Sequence, residues 1–183
     1  MIPISYIAPQ RSSRLEVDYY VPIRFRVLPD VRGDNIVGSL GDHCHDIAEL
    51  KIDRATSELY GFTLVGVGRP VATSTTNPYG ALPVQSGIPV IDLKRLTFSE
   101  GQDGAPAHFD EPATLSCGLV DDALAVIFDD SAVPTKLVDS GEGLFILTGD
   151  TLVGFITKPL HSENLGTIRN WIASLNRRFG DVS

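Results

Sequence analysis

Between residues 15 and 28 the apolar and aromatic residues Leu15, Val17, Tyr19, Val21, Ile23, Phe25 and Val27 fall on every second position, among mostly polar neighbours. Only an extended strand sends successive side chains to opposite faces, so the alternation predicts a half-buried β-strand. Pro22 lacks the N–H a central strand needs, which makes this an edge strand or splits it in two. Shorter runs follow. Residues 46–53 alternate through Ile47, Leu50 and Ile52, residues 54–58 can turn the chain, and the β-branched and aromatic run 59–65 completes a hairpin. Residues 88–96 add a short strand and 114–128 one or two more. The apolar runs 136–138, 144–147 and 152–157, separated by Asp, Ser and Gly, predict a meander.

The period changes at 164–179, where Leu165, Ile168, Trp171, Ile172, Leu175 and Phe179 recur at steps of three or four. That spacing is an amphipathic helix, and Arg169, Arg177 and Arg178 occupy its polar positions, the last two complementing the helix dipole near the C-terminus. The fold expected is α+β: a mainly antiparallel sheet with a C-terminal amphipathic helix packed on it. Residues 1–13, with Pro3 and Pro9 and no clear period, read as a lead-in arm. Residues 31–41 carry turn signals, 70–87 read as a long exposed loop, and 101–112 as a second loop.

With 183 residues the chain fits one domain. Two stretches inside it are alike. Leu50-Lys51-Ile52-Asp53 through Leu59-Tyr60-Gly61-Phe62 and Leu144-Phe145-Ile146-Leu147 through Leu152-Val153-Gly154-Phe155 both read strand, turn, Leu-x-Gly-Phe strand. They mark 14–98 and 114–180 as candidate β-rich pseudo-repeats.

An apolar fraction of 43% with 21% charged residues rules out wholesale disorder. No apolar run approaches the roughly 18 residues of a membrane-crossing helix, and the first residues show no basic run followed by an apolar core. The cytosol is therefore the expected compartment. Cys44 and Cys117 are too few for a disulfide framework and are read as thiols.

The net charge is −8, and residues 99–150 alone carry −10, leaving +2 for the rest. Such a balance disfavours nucleic acid and anionic membranes as partners and favours a basic or neutral one. The eleven acids of this stretch are Glu100, Asp103, Asp110, Glu111, Asp121, Asp122, Asp129, Asp130, Asp139, Glu142 and Asp150. They are turn and solvated-face residues, a concentrated negative surface that steers a cationic partner, or ligands for a divalent cation.

The run Asp122-Ala123-Leu124-Ala125-Val126-Ile127-Phe128, followed by Lys136-Leu137-Val138, Gly143-Leu144-Phe145-Ile146 and Leu152-Val153-Gly154-Phe155, resembles a small β-rich bacterial family of unknown function. That family reads Asp-Ala-Leu-Tyr, a strand, an acidic turn and Leu-Val-Gly-Ile or Phe. Ala125 stands in place of its Tyr, and the acid after Gly-Phe is missing. By its size, acidity and β-meander the chain is also similar in type to immunity proteins of bacterial toxin systems, including contact-dependent inhibition. That likeness implies a partner, a cognate toxin domain, and carries no contact residue with it.

The most prominent cluster with metal-ligand chemistry is Asp42-His43-Cys44-His45-Asp46. In a strand His43 and His45 would share one face and Cys44 the other, so the three would not easily serve one tetrahedral site, and His108 and His161 stand at no supporting spacing. A Cys44 nucleophile with a neighbouring His base needs a geometry that adjacent residues rarely have. Asp121-Asp122 and Asp129-Asp130 have the chemistry of an acid/base couple or a cation site, but with no spaced third ligand they read as turns at the two ends of a strand. No phosphate-binding glycine loop, dinucleotide fingerprint or nucleophile elbow is present. The resulting expectation is a non-enzymatic binding protein without cofactor, of the immunity type, contacting a basic toxin domain through Asp103, Asp110, Glu111, Asp121, Asp122, Asp129, Asp130, Asp139 and Glu142. The alternatives are a metal-dependent enzyme or metal-binding protein using His43, Cys44 and His45, and a structural β-rich homo-oligomer.

Overall fold

The structure, a computed structural model, describes residues 2–29, 34–42, 44–70, 78–102 and 105–179. Two sheets face each other. The six-stranded one contains β2 (Ser13–Glu16), β3 (Ile23–Val27), β4 (Asn35–Gly41), β5 (Ile47–Asp53), β6 (Leu59–Gly66) and β10 (Ala107–Glu111), in the order β10-β4-β5-β6-β3-β2. The nine-stranded one contains β7 (Arg69–Pro70), β8 (Val84–Ser86), β11 (Ser116–Val120), β12 (Ala123–Ile127), β13 (Lys136–Asp139), β14 (Gly143–Thr148) and β15 (Thr151–Thr157), in the order β7-β11-β12-β15-β14-β13-β8. Its remaining two strands are β1 (Ile2–Ala8), which pairs with both β15 and β9, and β9 (Ile88–Ile91). The chain ends in α1 (Ser162–Phe179). The architecture is α+β, with mostly antiparallel pairing.

The two sheets repeat one topology. β4-β5-β6-β3-β2 and β13-β14-β15-β12-β11 lie in the same order, and each gains a parallel edge strand, β10 beside β4 and β8 beside β13. One irregularity is shared as well. The register slips between Lys51 and Ile52 and between Ile146 and Leu147, which leaves Tyr60 and Val153 as the extra residues of two equivalent bulges. Leu59, Gly61 and Phe62 therefore occupy the same rungs as Leu152, Gly154 and Phe155. On the preceding strands those rungs equate Leu50 with Phe145, one residue on from the likeness read in the sequence.

Alternation puts Phe25 and Phe62 on the inner face of one sheet and Phe145 and Phe155 on that of the other, all four fully buried. Their rings meet across the gap, with Phe62 and Phe155 4.7 Å apart and Phe25 and Phe145 5.6 Å apart. Leu165, Ile168, Trp171, Ile172 and Leu175 of α1 join the same apolar core, and the helix packs beside β7. No helix among the described residues is long and apolar enough to cross a membrane.

Four sequence expectations are corrected. Residues 1–13 are not an arm: β1 buries Ile2 and Ile4 and changes partner from β15 to β9, and Ser13 already belongs to β2. Residues 31–41 end in β4, whose Gly38 resembles a turn residue but serves close packing, since a Cβ there would lie 2.1 Å from the Phe109 ring. The same ring belongs to β10, which occupies the expected 101–112 loop, buries Ala107 and Phe109 in alternation and pairs in parallel with β4. Within 70–87 the exposed strand β8 pairs with β13, while residues 71–77 lie outside the described ones. Pro22 does split the first alternating run, leaving β2 and β3 as a hairpin with β2 at the sheet edge.

Candidate functional site

Two clefts meet at the end of β12, and Asp129 and Asp130 line both. The first, about 450 Å³, lies where β1, β4 and β10 converge and is bounded by Ile2, Leu40, Glu111 and Phe128. The second, about 430 Å³, lies on the outer face of the nine-stranded sheet. Its floor is Ser116, Gly118, Ala125, Ile127 and Val153, and Tyr79 and Val133 form part of its walls. The floor is apolar because β11 and β12 are buried on both faces, unlike a half-solvated strand.

The two aspartates are held by short local bonds. Asp129 accepts from the Ser131 hydroxyl at 2.6 Å and the Ser131 amide at 2.9 Å, bonds that hold its carboxyl below the usual carboxylate range. Asp130 accepts the Ser116 hydroxyl at 2.6 Å across the cleft floor. Among the described residues no lysine or arginine forms an ion pair with either. Burial first, and the Asp130 charge second, raise the pKa of the Tyr79 phenol.

The fold separates the acids that lie together in sequence. Asp121 and Asp122 form the tight turn between β11 and β12, with φ of 48° and 61°, the left-handed pair that a two-residue hairpin turn requires. The Lys158 amide donates to the Glu142 carbonyl and the Leu160 amide to that of Asp122, so Asp121, Asp122, Asp139 and Glu142 share one end of the sheet. Two of them are neutralised there, Asp139 by Lys158 at 2.6 Å and Asp122 by Arg169 at 3.2 Å. Asp129 and Asp130 stand at the opposite end, a five-residue strand or roughly 17 Å away. Glu111 joins them at the first cleft, Asp110 is exposed on β10, and Asp103 lies outside the described residues.

The Asp42–Asp46 cluster is a loop between β4 and β5, not a strand. Asp42 Oδ1 accepts the amides of Cys44, His45 and Asp46, which holds its carboxyl far below the ordinary range. The carboxylate is thus a turn cap. His45 Nδ1 lies 3.5 Å from Asp42 Oδ2, and Cys44 is exposed. His43, like the side chains of Arg178 and Phe179, lies outside the described residues. Among those described, no three His, Cys, Asp or Glu side chains are placed to hold a metal ion.

Both cysteines are free, but burial and then the Asp46 charge push the Cys117 thiol up to about 12. A thiol reagent applied to native protein at neutral pH is expected to label Cys44 at once and Cys117 only after unfolding. Equal rates at both would contradict the burial of Cys117.

Sequence reading missed the clefts, Tyr79 and Ser116. One signal was present: 116–120 and 123–127 lack alternation, and a doubly apolar hairpin needs something over each face. No protein-family model matches the chain, and a search of curated proteins finds no significant relative.

Proposed function

We propose that the chain is a non-enzymatic protein-binding protein of the immunity type, which covers a basic toxin domain in the cytoplasm and needs no cofactor. The observation that carries this reading is the pair Asp129 and Asp130, shared by two clefts and lacking an ion pair with any described lysine or arginine. Carboxylates beside apolar concavities form a surface complementary to cationic side chains. The acids at the far end support it less, because Arg169 and Lys158 already neutralise two of them. An interface of ordinary size would bury about 800 Å² on each partner and could extend from the clefts across the neighbouring edge.

The test is co-expression with the product of the adjacent gene, followed by capture at low and high salt. Salt-sensitive capture of a basic domain is expected, weakened about tenfold, or about 1.4 kcal/mol, by Asp129→Asn with Asp130→Asn. Charge reversal at Asp121 and Asp122 is expected to change it less. Failure to capture at either salt overturns the proposal.

A further inference from the structure

The repeated topology supplies an internal control for the second cleft. Phe25 pairs with Phe62 in one sheet as Val126 pairs with Phe155 in the other, so the β2–β3 and β11–β12 hairpins are equivalent. Through that register Arg14, Glu16, Arg24 and Arg26 correspond to Ser116, Gly118, Ala125 and Ile127. In the first hairpin these outward positions carry long charged side chains, with Arg14 and Arg24 both reaching Glu16. The fold thus accepts a solvated face there, and the small and apolar residues of the second hairpin answer a different demand.

What they create is volume. Gly118 lies directly opposite Ala125, so the middle of the floor carries almost no side chain, and the cleft of about 430 Å³ falls within the roughly 300–1,000 Å³ of ligand sites. Asp130 spans one end through Ser116, Asp129 stands beside it, and the Tyr79 ring lies close enough for its phenol to sense the Asp130 charge. Apolar walls ending in carboxylates select a cation on an apolar stem. Guanidinium fits this better than ammonium, since it is more weakly hydrated, binds carboxylate in a fork and stacks on aromatic rings.

We propose that this cleft receives one arginine side chain of the protein partner, its methylenes over Gly118 and Ala125 and its guanidinium at Asp129 and Asp130. This rests on the reading of the chain as a partner-binding protein. The full chain is titrated with n-butylguanidinium and, separately, with n-butanol, while the amide NMR signals of Gly118, Ala125 and Val153 are followed. Saturable shifts at these residues are expected, with the guanidinium binding at least tenfold more tightly than the alcohol. Asp129→Asn with Asp130→Asn should erase that preference, and Ala125→Leu should abolish both responses. If the leucine does not fold, the isosteric asparagine pair still decides the matter. Equal affinity for cation and alcohol, or shifts confined to other residues, overturns the proposal. A partner captured equally well by wild type and Ala125→Leu overturns the cleft while leaving the functional reading standing. Guanidinium binding without capture of a basic domain does the reverse.

Discussion

Replacing Phe155 with alanine is expected to lower the stability by about 3–5 kcal/mol, enough to leave a domain of this size marginal. Phe155 has no exposed surface, and its ring is within 5.3 Å of Phe25, 4.7 Å of Phe62 and 5.2 Å of Phe145. It therefore touches both sheets at once. Its ring also covers Gly143, where a Cβ would fall 2.3 Å away, so the neighbouring backbone is shaped to this side chain and cannot easily collapse into the space it leaves. The cost combines lost transfer energy with a cavity. Urea unfolding followed by circular dichroism measures it, and Phe155→Leu, which keeps part of the contact, should lose less. A loss below about 1 kcal/mol for the alanine variant would show that the aromatic cluster does not hold the sheets together.

What could be read from the sequence follows from where each element finds its order. β3, β5 and α1 bury one face each, so their period was visible in their own residues, while β6 and β14 are apolar runs buried on both faces and readable by their β-branched and aromatic content. β1 and β10 find their sheet partners only in distant segments, and β4 is covered by one. Pro3 and Gly38 read as breakers until Thr151 is found beside one and the Phe109 ring over the other. The same holds for the site. The sequence placed eleven acids within 99–150, yet hairpin geometry sends Asp121 and Asp122 to one end of a strand and Asp129 and Asp130 to the other. The cleft needs Tyr79 brought onto β11 and β12 from nearly forty residues earlier, which no local pattern encodes.

The second large effect is expected from Asp46→Ala. Asp46 is only 7% exposed, and its two oxygens accept separate backbone amides, Gly68 at 2.5 Å and Leu115 at 3.0 Å. Gly68 follows β6 of one sheet and Leu115 precedes β11 of the other, so one carboxylate ties the sheets together at this edge. Alanine strands both amides away from partners, at about 1–3 kcal/mol each. Asp46→Asn keeps one acceptor oxygen and turns an NH₂ toward the second amide, so it should recover no more than half of the loss. Chemical denaturation gives the magnitude, and amide hydrogen exchange locates it: protection should fall at Gly68 and Leu115 before it falls in β14 or β15. Unchanged protection at both amides would show that these bonds do not organise the edge. The consequence reaches the cleft. Leu115 adjoins Ser116, whose hydroxyl holds Asp130, so an alanine at position 46 that still folds is expected to weaken n-butylguanidinium binding without removing any carboxylate from the cleft.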